Sequence, residues 1–173
     1  MKRRILFALF VKFVGASAMY ADVSVQHADL QITLPSKPVE MTTPIPSAEG
    51  APPRKQYRLM VNDPNGAIIV WHQNAESEKN VADVLQRMAK TIVKTSGGEE
   101  VLNQSFVYQG HPGRLVIVPI PAKNGYFRVA YFYVNGKYYQ IMAVGPESFV
   151  GSEPVSKMFK SVQFPGRKAK RSS

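Results

Sequence analysis

Apolar and polar residues alternate from Asp29 to Leu34, with Leu30, Ile32 and Leu34 set against Asp29, Gln31 and Thr33. This two-residue period predicts a strand with one buried face. The run stops at Pro35-Ser36-Lys37-Pro38, and residues 39–43 could form a second short strand. Prolines at 44, 46, 52 and 53 lack the backbone donor a ladder needs, so residues 44–54 are expected to be a loop. Residues 56–61 and 67–72 then read as a hairpin around Asn62-Asp63-Pro64-Asn65-Gly66, where Gly66 suits a positive φ.

The period changes after residue 77. Val81, Val84, Leu85, Met88 and Ile92 recur at spacings of three and four, while Arg87, Lys90 and Lys94 point the other way. That pattern predicts an amphipathic helix over 78–95, with Ser77 as N-cap, Glu78 at the positive end of the helix dipole and Gly97 as the stop.

Four strands follow, over 101–109, 114–120, 126–134 and 137–144. The last two flank Asn135-Gly136, a two-residue turn whose mirror-image geometry matches strand twist and fixes their register. Within 126–134, Phe127, Val129, Tyr131 and Tyr133 share one face and Ala130, Phe132 and Val134 the other. Both faces are apolar enough to need a cover. Pro154 at a first helical position, followed by Val155, Met158, Phe159 and Val162, predicts a short C-terminal helix. The expected fold class is α+β: an antiparallel sheet flanked by helices on both faces.

The two ends of the chain read differently from the body. Lys2, Arg3 and Arg4 precede an apolar stretch, Ile5 to Val14, and then Gly15-Ala16-Ser17-Ala18. This is the order of a secretory signal peptide, residues 1–18, cleaved after Ala18. The stretch is too short for a membrane span of about 20 residues, so no stable span is expected after cleavage. Residues 19–27 are then a mature N-terminal segment, 28–165 one domain, and 166–173 a basic flexible tail. The formal net charge is +10, but four of the 22 basic residues lie before residue 19 and four in the tail, leaving 14 in the body against 12 acids. A nearly neutral body gives no electrostatic footprint for a nucleic-acid groove. With no cysteine, the chain has no disulfide, thiolate metal site or lipid-modified cysteine. An exported protein, periplasmic or secreted, is expected.

Gly110-His111-Pro112-Gly113-Arg114, Gly136-Lys137-Tyr138-Tyr139-Gln140 and Phe159-Lys160-Ser161-Val162-Gln163-Phe164, in this order around one helix, resemble the PsbP-like superfamily. Leu34-Pro35-Ser36-Lys37-Pro38 is similar to the FPxxP segment that opens many exported members. The superfamily includes the extrinsic lumenal subunit of photosystem II, a Ran-binding nuclear transport factor and small exported bacterial proteins. The resemblance covers about residues 28–165. It implies an α/β/α sandwich that binds or scaffolds, and it transfers no catalytic residues.

Candidate chemistry is sparse. His27, His72 and His111 show no ligand spacing, so neither metal nor cofactor is expected, and no nucleophile elbow or S-x-x-K motif occurs. His111 and Arg114 could form a small anion site with exposed loop amides, since a guanidinium fork and unpaired N–H groups suit carboxylate or phosphate. Arg128, Lys137 and Tyr138 belong to an aromatic hairpin that could act as a stacking platform or simply fill the core. Arg167, Lys168, Lys170 and Arg171 form the basic tail. The function expected is a non-catalytic binding or accessory protein that docks to a protein or other envelope component. An anion-binding protein using the tail and Arg114 on nucleic acid or acidic polymer is the alternative, and an enzyme of unknown class a third. Oligomeric state is not legible.

Overall fold

Backbone hydrogen bonding groups the strands into a two-stranded hairpin and one seven-stranded antiparallel sheet in this computed structural model, which describes residues 21–45, 54–75 and 80–165. The hairpin is β1 (Val23–His27) and β2 (Leu30–Leu34). The sheet comprises β3 (Val39–Ile45), β4 (Arg54–Asp63), β5 (Gly66–Asn74), β6 (Leu102–Tyr108), β7 (His111–Ile120), β8 (Gly125–Val134) and β9 (Lys137–Gly145). Their order across the sheet is β3-β4-β5-β9-β8-β7-β6. The helices are α1 (Val81–Ser96), α2 (Glu147–Val150) and α3 (Glu153–Lys160). The expected signal peptide, residues 1–18, and the expected basic tail, residues 166–173, lie outside the described residues.

Strand alternation divides the interior in two. Val129, Tyr131, Tyr138 and Met142 cluster with Val84, Leu85 and Ala89 of α1. The intervening Ala130, Phe132, Tyr139 and Ile141 cluster with Leu30, Ile32 and Leu34 of β2, with Val155 and Met158 of α3, and with Val162 and Phe164. The alternation seen in residues 29–34 thus marks a buried face, each apolar side chain contributing about 1.5–3 kcal/mol. The expected turn is present: Asn135 and Gly136 both have positive φ, 49° and 74°, and Val134 pairs with Lys137.

Several expectations are corrected. Strand β1 precedes residue 28 and pairs with β2, His27 opposite Leu30. Its Val-Ser-Val pattern is too short to stand out. Strand β3 runs on through Pro44 to Ile45, inside the expected loop. It is an edge strand, where a residue without an N–H can be accommodated. Ser77 and Glu78 lie outside the described residues, and the N-cap seen is Asn80, whose Oδ1 accepts from the Asp83 N–H at 3.3 Å. Gly97 ends the helix in the left-handed region as expected. Gly66 does not have positive φ; a side chain there would strike the Val144 carbonyl and the Phe149 ring. The Gly110–Arg114 stretch is not a loop. Gln109 and Gly110, with φ of 52° and 79°, make the two-residue turn, and His111 already pairs with Tyr108.

The domain closes at its C-terminal end. Gln163 exchanges two backbone hydrogen bonds with Gln31 of β2, at 2.8 and 2.9 Å, and the Phe164 N–H donates to Oε1 of Gln109.

Candidate functional site

The residues singled out from the sequence are dispersed. Arg114 and Tyr138 lie on the α1 side of the sheet, while His111, Arg128 and Lys137 serve the other side. Arg128 and Lys137 stand near opposite ends of the β8–β9 hairpin, about 20 Å apart at the rise of an extended strand. They cannot belong to one stacking platform. Arg114 donates from Nε to Asn103 Oδ1 at 2.5 Å and from Nη1 to Ser105 Oγ at 2.8 Å, both on β6. It braces the edge strand. The His111 ring packs edge-on against Phe164, 5.6 Å between centroids. Tyr138 is buried. Arg167, Lys168, Lys170 and Arg171 lie outside the described residues.

A polar cluster that no local spacing announced joins the β1–β2 hairpin to the sheet. Nε2 of His27 and Nδ1 of His72 are 2.8 Å apart, and the Tyr57 carbonyl lies 3.4 Å from the same His27 nitrogen. A carbonyl can only accept, so the tautomer satisfying both contacts carries its proton on His27 Nε2. Tyr57 stacks on His72 at 4.9 Å between ring centroids, and Tyr139 lies tilted behind it. Burial pushes His72 down to about 4, helped by the His27 and Lys137 charges and opposed by Asp29. His27 is lowered too, chiefly by burial, against the Tyr57 carbonyl and the Glu40 charge. Both rings are therefore held neutral near pH 7.

Beside them Lys137 Nζ lies 2.7 Å from Asp29 Oδ2, which also accepts from the Tyr139 hydroxyl at 3.1 Å. Burial alone would raise the Asp29 carboxyl. The Lys137 hydrogen bond and charge, with hydrogen bonds from Tyr139 and Asn135, outweigh it and hold the group below the usual range. Among the described residues no three His, Asp or Glu side chains converge as a metal site. The cluster fastens the hairpin to the sheet.

Two clefts remain. The first, about 270 Å³, runs between α1 and strands β5, β9 and β8. Helix α1 packs chiefly on β7 and β8, and where its cover ends Trp71 stands half-buried, with Gln73, Asn74, Tyr138 and Gln140 beside it and Met88 and Thr91 opposite. Every side chain lining this groove is uncharged. The second, about 250 Å³, lies on the other side, lined by Phe106, Tyr108, Leu115, Phe132, Phe159 and, as its charged group, Arg128.

No family model matches the sequence. No curated protein matches it either. Among solved structures, the chain is similar to the solution structure of cyanobacterial PsbP (CyanoP) from Synechocystis sp. PCC 6803, at 13% identity and a TM-score of 0.53, over 87% of this chain and 96% of that one. A crystal structure of PA94 from Pseudomonas aeruginosa, a protein of unknown function described as a putative regulator, aligns at 11% identity and a TM-score of 0.47, over 84% and 97%. At such identities the likeness to cyanobacterial PsbP is one of fold, and the chain has the PsbP-like fold.

Proposed function

We propose that this chain, built on the PsbP-like fold, is an exported, non-catalytic binding protein that docks to an envelope partner through the groove between α1 and the sheet. The observation that carries the reading is Trp71. The only tryptophan of the chain stands half-buried where α1 ceases to cover the sheet, with amides on either side of it. An indole offers a large contact area at low entropic cost, and Gln73, Asn74 and Gln140 offer donors and acceptors that fix orientation. A groove without charged lining suits a neutral segment of the partner and favours this reading over capture of an acidic polymer. An amide-flanked indole in an uncharged groove supports binding as its role.

Export is supported by the basic, apolar and small-residue order of residues 1–18. No helix among the described residues is long and apolar enough to cross a membrane. The two core clusters, one with α1 and one with α3, support reading the architecture as a three-layer α/β/α sandwich.

The test is capture from an envelope extract with the mature protein and with Trp71→Ala, at low and at high salt. Docking through the groove predicts a partner retained at high salt and lost with Trp71→Ala, accompanied by a shift of the single-tryptophan emission. A partner released by salt and indifferent to Trp71→Ala would transfer the function to the basic residues.

A further inference from the structure

On the face opposite the Trp71 groove, Arg128 is a cation with no counter-charge paired to it among the described residues. It projects from β8 toward α2 and α3, where Nη1 makes two long contacts, 3.4 Å to the Val150 carbonyl and 3.4 Å to Ser156 Oγ. Phe159 stacks on the guanidinium with its ring centroid 4.5 Å from Cζ. Nε is sealed from solvent and has no hydrogen-bond partner. No carboxylate among the described residues pairs with the side chain, although Glu147 lines the adjoining hollow. Burial lowers the guanidinium's proton affinity with nothing to offset it, yet an arginine stays charged in a protein.

A half-buried charge whose donors are not all used is costly, and such donors call for an explanation. The stacked Phe159 explains how the side chain is held. It leaves Nη2, which unlike Nε is not sealed from solvent, without an acceptor among the described residues, and a carboxylate suits that charged donor. The rest of the cleft is apolar: Phe106, Tyr108, Leu115, Phe132 and Phe159. Its volume of about 250 Å³ falls just under the ~300–1,000 Å³ typical of sites for drug-sized ligands. The occupant is therefore small.

We propose that this cleft is a binding site for a small apolar carboxylate, a medium-length acyl chain or a single aromatic ring bearing one carboxylate, whose head meets Arg128 and whose body lies on Phe106, Leu115 and Phe132. Charge complementarity sets the head and the lining sets the body, so a short carboxylate without a body, or an apolar molecule without a charge, satisfies only half of the site.

The experiment titrates the full chain with octanoate, octanol and acetate, followed by calorimetry and by amide chemical shifts. Octanoate is expected to saturate a single site at least tenfold more tightly than octanol, with acetate showing no saturable binding. The perturbed amides should fall within residues 106–115, 128–132 and 159–162. Arg128→Met, which keeps the length of the apolar stem, should weaken octanoate at least tenfold while leaving octanol unchanged. Equal affinity for octanoate and octanol, shifts confined to the α1 groove, or no saturable octanoate binding would overturn the proposal. The octanoate and octanol comparison uses the unaltered protein, so it decides the matter even if Arg128→Met does not fold.

Discussion

His27 and His72, 45 residues apart in the chain, share one hydrogen bond of 2.8 Å between Nε2 and Nδ1, and this bond ties the N-terminal hairpin to β5. Both imidazoles are half-buried or buried, and both are held below their ordinary value of 6.5.

The sign of the resulting pH dependence follows from linkage. A depressed histidine makes the unfolded state the better proton binder between about 4, the folded value of His72, and 6.5. Stability is therefore full above about pH 6.5, falls as the pH drops toward 4, and loses nothing more to His72 below that. Lys137, Asp29 and Glu40 are the charges acting on the pair, Arg58 lies beside it, and the Tyr57 and Tyr139 rings pack against His72. Asp29 belongs to a lower window: its carboxyl is depressed from 3.8, so its contribution is lost only as the pH falls below that value. Urea midpoints at pH 7, 5.5 and 4.5 should decline steadily in the natural chain and much less in His72→Phe. A flat profile in the natural chain would contradict the neutral pair.

The Asp29 and Lys137 pair can be tested by a double-mutant cycle. Their side chains are only 14% and 22% exposed, so removing either partner leaves a poorly solvated charge behind. Asp29→Asn and Lys137→Met should each cost about 1–3 kcal/mol. Together they should cost less than the sum, with a coupling of about 1–2 kcal/mol. Additive losses would mean that the two groups do not interact.

Two glycines should fail for different reasons. Gly136→Val meets no neighbour but must adopt a φ of 74°, so it should cost about 1–3 kcal/mol in backbone strain. Gly66→Ala meets no φ penalty but drives a methyl group into the Val144 carbonyl and the Phe149 ring, with a loss of about 1–3 kcal/mol from overpacking. Asn65→Ala, in the neighbouring turn where the Asn65 backbone N–H rather than its side chain bonds Asp63 at 2.8 Å, should cost less than either. Chemical unfolding of the three variants would rank them, and Asn65→Ala as the worst would refute the assignment of turns.

Truncation separates the tail from the domain. Removing residues 166–173 should leave the unfolding midpoint unchanged, because the last described backbone bonds are those of Gln163 and Phe164. Removing residues 163–173 strips the Gln31 bridge and the buried Phe164 ring and should cost at least 3 kcal/mol. The first deletion also removes four positive charges. Any affinity for an anionic polymer that rests on them should weaken and show a shallower salt slope, by up to about four units.

Elements with a strong local rule were legible in the sequence. Asn135-Gly136 fixes the β8–β9 register because few dipeptides tolerate two positive φ angles, and the spacing from Val81 to Ile92 fits only a helix. What a position owes to its distant surroundings was not legible. Pro44 breaks an interior strand but not an edge, and nothing in residues 39–45 says that β3 is an edge. The glycines around His111 suggested a loop, whereas Gln109-Gly110 makes the turn and Gly113 lies within β7, at a position where the Phe106 ring leaves no room for a Cβ. The His27 and His72 pair, the groove at Trp71 and the uncompensated Arg128 all depend on contacts across the sheet, to which periodicity is blind.

The bridge between Gln31 and Gln163 sets an order of events during synthesis. A chain is made from its N-terminus, yet the β1–β2 hairpin cannot be bridged until Gln163 has emerged, and β5, which pairs with β4 at once, gains its second neighbour only with β9. Leu30, Ile32 and Leu34 of β2 therefore keep their apolar faces uncovered until Val155, Met158, Val162 and Phe164 have been made.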